Sequence, residues 1–238
     1  MKINHPANIA PAKQKGNLLA FVWIIAALLA LYPVVRLLDA AFPVFTFLFL
    51  AVPLIALIFS RDAAGIGIRA IKWSDFFKYT GLCLGANLVL TAAIEPWSHT
   101  YRMLLQKALS ATPADPTFGW LLQFSSPVGW IIFILFAGLV SIFAEELFFR
   151  GWLLNRLMRR MNSTWAVILQ ATLFTLPQLL AAFLLPLTQG ILYGAVYSWL
   201  TIGLIGGWVA GRTRSIWPSL VSATLYNLTL CLVIFPTL

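Results

Sequence analysis

Charge is what this sequence has least of. Asp, Glu, Lys and Arg make up 10% of its 238 residues, and only 7 of these are acidic. An ordinary soluble domain carries roughly 25% charged residues, so this chain cannot cover a soluble surface. Cysteine is nearly missing as well. Cys83 and Cys231 each sit in an apolar run and read as small buried hydrophobes, with no disulfide or metal-site pattern. Histidine is confined to His5 and His99, which leaves the apolar runs without an imidazole. No glycine loop of the phosphate-binding kind occurs, and no motif for flavin, haem or nucleotide is present. No cofactor is expected. No tandem repeat is evident either.

What is abundant is apolar sequence, 61% of the chain, arranged in long runs. A membrane span needs about 20 mostly apolar residues. Seven runs approach that length, at 17–38, 41–59, 76–94, 128–152, 163–185, 187–211 and 215–236. The run after the polar residues 1–16 lacks a clear small-x-small cleavage pattern, so it reads as a retained span rather than a signal peptide. The expectation is an all-α, polytopic transmembrane bundle of about seven spans. Residues 1–127 would hold a tail, three spans and an outer loop (95–127), and residues 128–238 a core of four. Pro53, Pro177 and Pro218 mark kinks or helix starts.

The net charge of +9 often signals nucleic acid, but the basic residues flank apolar runs, which is the membrane pattern. Alternating the spans puts Lys2, Lys13, Lys15, Arg61, Arg69, Lys72, Lys78, Arg156, Arg159, Arg160, Arg212 and Arg214 on one side. Arg36, Arg102 and Lys107 fall on the other. That bias places the N-terminus in the cytoplasm and the C-terminus outside, in a bacterial cytoplasmic (inner) membrane. Residues 60–77 alternate Ile66, Ile68, Ile71, Trp73, Phe76 and Phe77 with Arg69 and Lys72, as expected of a segment lying along the cytoplasmic interface.

The most informative stretch is Ser141-Ile-Phe-Ala-Glu-Glu-Leu-Phe-Phe-Arg-Gly-Trp152. Ionisable groups within a span are costly unless paired or set in a watered cavity. Glu146 and Arg150 are four apart, so they share a helix face and can pair. Glu145 points away from that face, free for a cavity, where a carboxylate can serve as a general base toward water. A structural clamp between helices explains Glu146 and Arg150 equally well. Gln178 and Asn227 lie at comparable depth in later spans. Either they bond across the bundle as intramembrane amides commonly do, or they converge with Glu145 in a polar pocket. Gly203, Gly207 and Gly211 suit close helix packing. A carboxylate pair half-occupied by Arg150 is a poor zinc site, so no metal is expected.

With these residues in hand, the chain resembles the CPBP family of CAAX-processing and bacteriocin-processing membrane proteases, the Abi or Rce1-type glutamic intramembrane proteases. The resemblance covers about residues 128–232. Glu145-Glu146-Leu-Phe-Phe-Arg150-Gly151 matches the paired-glutamate and arginine motif. Leu173-Phe174-Thr-Leu-Pro-Gln178 resembles the second motif, and 203–220 with Tyr226-Asn227 the third and fourth. The resemblance implies that Glu145 activates water for peptide-bond attack, that Glu146 and Arg150 support it, and that Asn227 stabilises the oxyanion. Both motif histidines are replaced, one by Gln178 and one by Ala223. Gln178 cannot shuttle a proton near neutral pH and Ala223 offers no polar group. The resemblance therefore implies either of two roles. One is a pseudoenzyme that binds or scaffolds a membrane protein, peptide or lipid-linked partner in the bilayer. The other is a divergent intramembrane endopeptidase using Glu145.

Overall fold

The computed structural model describes residues 44–94, 136–183 and 186–234. Every regular element among them is helical. Helix α1 spans Val44–Ser60, with Pro53 inside it. A short 3-10 turn at Ala63–Ile66 follows, then α2 at Trp73–Ile94. Helix α3 runs through 136–158 and winds with wider, π-type turns at Phe136–Ser141 and Glu146–Leu153. Helix α4 is Ser163–Phe183. Its first turn is capped by Asn162, whose side-chain oxygen accepts from the Thr164 N–H at 2.8 Å. Helix α5, Leu187–Thr213, starts behind Pro186 and is π-wound at Tyr193–Ile205. It stops at Arg214, which takes a left-handed φ of 55°. Pro218 sits in the first turn of α6, Trp217–Ile234, where a proline costs no hydrogen bond.

The all-helical expectation stands, but the seven-span count is corrected. Among the described residues two helices are long and apolar enough to cross a membrane, Trp73–Ala93 and Leu187–Thr213, and Thr46–Ser60 is a shorter apolar helix. The predicted span at 17–38 and the outer loop at 95–127 lie outside the described residues. The other runs are helices, but polar groups interrupt them. α3 buries Glu146 and Arg150. α4 carries Gln170, Thr172, Thr175 and Gln178, and α6 carries Ser219, Ser222, Thr224 and Asn227. Residues that serve contacts between helices make a helix less like a lipid-facing rod.

The core forms around α3. Leu147, Phe149, Leu153, Leu154 and Leu157 are buried, with Ala166 and Phe174 from α4 and Ile216 ahead of α6. The Phe49 ring of α1 lies tilted against Phe148 at 4.9 Å and edge-on to Phe149 at 5.1 Å, and Phe149 meets Phe174 edge-on at 5.2 Å. Helix α5 lies close to α4 because its glycines face that helix. A Cβ on Gly203 would press on Ala171, and one on Gly211 would touch Val167.

The turn at 63–67 is the second correction. Ile66 is not at an interface but within the core, 2% exposed. Gly67 takes φ 77°, a conformation that favours glycine, and its carbonyl accepts the Ile216 N–H at 3.0 Å. The Ile66 carbonyl lies where a Cβ on Gly151 would be. Ser215 Oγ also donates to the Arg69 carbonyl at 3.0 Å, and Arg159 pairs with Asp62 at 3.5 Å. Three basic segments, around residues 61–72, 156–160 and 212–215, therefore meet at one end of the bundle.

Alanine at Gly151 should destabilise the protein by about 1–3 kcal/mol, since backbone must move to admit the methyl group. Gly81 faces open space, so Gly81→Ala should leave stability unchanged or raise it by up to about 1 kcal/mol. Thermal unfolding of the two solubilised variants beside the parent checks the contrast.

Candidate functional site

Glu146 and Arg150 are each 1% exposed. Arg150 Nη1 stands 3.2 Å from Glu146 Oε1, one turn along the same helix. Arg150 Nη2 donates to the Ile202 carbonyl of α5 at 2.7 Å. Ser219 Oγ of α6 donates to Glu146 Oε2 at 2.6 Å. The guanidinium lies 4.1 Å from the centroid of the Phe174 ring of α4, within cation–π range. One ion pair thus ties α3 to α4, α5 and α6. Such a pair withstands burial best when its remaining polar atoms are also satisfied. Here neighbouring helices supply partners to Arg150 Nη2 and Glu146 Oε2, while Arg150 Nε makes no hydrogen bond among the described residues. Gly206 lies beside the guanidinium, where a Cβ would make an ordinary contact with Arg150 Nη2 at 3.6 Å.

Glu145 is the adjacent residue but faces elsewhere. It is half-buried, and Arg150 is spent on its neighbour. Gln178 Nε2 donates to Glu145 Oε1 at 3.4 Å, and Tyr193 Oη donates to Gln178 Oε1 at 3.4 Å. Both contacts are at the long end of hydrogen-bond distances. The tyrosine takes up the amide oxygen and so turns the amide nitrogen toward the carboxylate. The carboxylate keeps acceptor capacity for another donor, since an ionised carboxyl offers about four lone-pair positions.

The structure therefore joins Glu145 with Gln178, and Glu146 with Arg150. Asn227 is half-buried and donates through Nδ2 to the Ala223 carbonyl of its own helix at 2.8 Å. Among the described residues no hydrogen bond links it to Glu145. Ala223 itself is packed, 6% exposed. His5 and His99 lie outside the described residues. Among the described residues no group of three or more His, Cys, Asp or Glu gathers at a point where a metal could be held.

Sequence reasoning missed Ser219, Tyr193 and the Ile202 carbonyl. Ser219 lies within the 203–220 stretch already matched to a motif, so its position was marked although its partner was not. Tyr193 stands between Gly190 and Gly194, and nothing in its spacing points to Gln178. A backbone carbonyl leaves no trace in sequence at all.

Ser219→Ala should cost about 1–3 kcal/mol, because Glu146 Oε2 loses a donor in a buried setting. Arg150→Met should cost about 3–5 kcal/mol by leaving a buried carboxylate unpaired. Denaturation of both variants in the same detergent should preserve that order.

Comparison with known proteins adds one match. Residues 127–229 match the family model described as type II CAAX prenyl endopeptidase Rce1-like. No curated protein and no solved structure matches the chain. The matched stretch covers somewhat under half of the sequence, yet it contains both glutamates, Arg150, Gln178, Ser219 and Asn227. Over that stretch the chain is similar to the Rce1-like family of type II CAAX prenyl endopeptidases.

Proposed function

We propose that this chain is an integral membrane protein whose Rce1-like site holds a membrane-embedded peptide or lipid-linked partner without cleaving it. Membrane residence is supported by the outward apolar side chains of the longer helices. Phe59 is 86% exposed, Leu187 80% and Val89 67%, a surface suited to lipid rather than water. The basic segments gathered at one end support the orientation with the N-terminus in the cytoplasm and the C-terminus outside, in a bacterial cytoplasmic membrane.

The observation that carries the binding reading is the Gln178–Glu145 contact at 3.4 Å, made where the family's second motif places a histidine. A glutamate that activates water must see its proton delivered to the leaving amine. Glutamine cannot take part in that transfer, and the packed Ala223 methyl offers no substitute. What the arrangement does supply is a desolvated acceptor, oriented by Gln178 and Tyr193, for an N–H or O–H donor on a partner. A second reading rests on Glu145 having no arginine of its own. A carboxylate left unneutralised beside a motif arginine keeps the capacity to act as base, which supports a divergent endopeptidase.

A fluorescent prenylated CAAX peptide in vesicles separates the two. The expected result is saturable binding with no cleaved product. Glu145→Gln should weaken binding about tenfold or more, the usual cost of losing a charge-assisted hydrogen bond. The double variant Gln178→His with Ala223→His should gain cleavage that a further Glu145→Gln change removes. Cleavage by the parent, lost in Glu145→Gln, would replace the binding conclusion with the endopeptidase one.

A further inference from the structure

Helix α2 hides a polar face that its hydropathy does not reveal. Thr80, Cys83, Asn87 and Thr91 follow one another at intervals of three, four and four residues, so they lie on one side of the helix. All are buried, between 1% and 7% exposed. Helix α6 presents Ser219, Ser222 and Tyr226 at matching intervals, each no more than 1% exposed. The two rows meet. Thr91 Oγ1 and Tyr226 Oη are 2.6 Å apart. Ser222 sits beside the Cys83 thiol, which also lies near enough to Glu146 and Arg150 to feel both charges. Asn87 Nδ2 stands 3.9 Å from Cys83 Sγ. The lower end of the row is Ser219, already bonded to Glu146.

This seam contains buried polar atoms without protein partners. Among the described residues, Asn87 Oδ1, Thr80 Oγ1 and Ser222 Oγ make no hydrogen bond of ordinary geometry. A buried polar atom left unsatisfied is destabilising. An amide oxygen is the most telling of the three. A buried hydroxyl can turn to a carbonyl of its own helix, but an acceptor needs a donor brought to it. A file of hydroxyl, thiol and amide groups converging from two helices is the environment in which internal water is held, whereas dry cavities are lined by apolar groups.

We propose that the α2–α6 seam is a hydrated passage. Water molecules bridge Thr80, Asn87 and Ser222 and reach the Ser219–Glu146 pair past Cys83. The entrance lies beyond Thr80, toward the first turn of α2. The passage gives the buried Glu146 contact with solvent that does not cross the outward apolar surface. It stands whether Glu145 binds a partner or cleaves one.

Cys83 is a built-in reporter. In a Cys231→Ser background its S–H stretch can be followed by infrared spectroscopy after vesicles are moved into D2O. The parent should convert to S–D within minutes. Asn87→Leu and Ser222→Val should each slow conversion about tenfold or more, as expected when a bridging water is lost from the path. Leu82→Ala, on the exposed side of α2, should convert at the parent rate. A parent thiol that keeps its proton for hours, or seam variants that exchange as fast as the parent, would overturn the passage. Unfolding speeds exchange, so it cannot imitate the expected slowing. If neither seam variant folds, retention or loss of the proton in the parent decides alone. The measurement reads no binding or cleavage, so its failure leaves the reading of Glu145 untouched.

Discussion

A carboxylate and a guanidinium buried inside a helical bundle must be surrounded by partners or the structure containing them does not form. Glu146 and Arg150 impose that condition on this fold. Four helices converge because each supplies something to the pair: a hydroxyl from α6, a carbonyl from α5, a ring face from α4 and the pair itself from α3. The aromatic packing of Phe49, Phe148, Phe149 and Phe174 then fills the space on the neighbouring face of α3. Apolar packing is tolerant of slippage. Hydrogen bonds to a buried charge are not, so the pair sets the register on which the side chains around it depend.

Glu145 gains its freedom from this arrangement. Because the arginine pairs one residue along, the first glutamate makes no salt bridge among the described residues and meets the amide of Gln178. Its environment is set at one remove by Tyr193, which takes up the oxygen of Gln178. The amide beside Glu145 holds hydrogen bonds but cannot shuttle a proton near neutral pH. The charged clamp of Glu146 and Arg150 stands next to it.

Much of this was legible in the sequence where chemistry is costly. An acidic pair inside an apolar run demands an explanation, and the four-residue interval from Glu146 to Arg150 predicts their contact from helix geometry alone. Gly203, Gly207 and Gly211 likewise announce a close helix neighbour. The number of spans was not legible. Apolar runs that pack on one another look the same, by composition, as runs that face lipid, and only Trp73–Ala93 and Leu187–Thr213 keep the length and apolarity among the described residues. Ile66 was misjudged because basic neighbours suggest an interface, while its burial depends on Gly151 and Ile216 far along the chain. The polar face of α2 escaped notice because Thr80, Cys83, Asn87 and Thr91 are separated by apolar residues, and their meaning depends on which helix lies opposite.

The bond from the Ile216 N–H to the Gly67 carbonyl has a bearing on biosynthesis. Its two ends are made far apart in time, Gly67 well before Ile216. The turn at 63–67 cannot take its final seat against Gly151 until Ile216 arrives. Until then that end of the bundle stays unsealed, and a chain truncated before Ile216 would never close it.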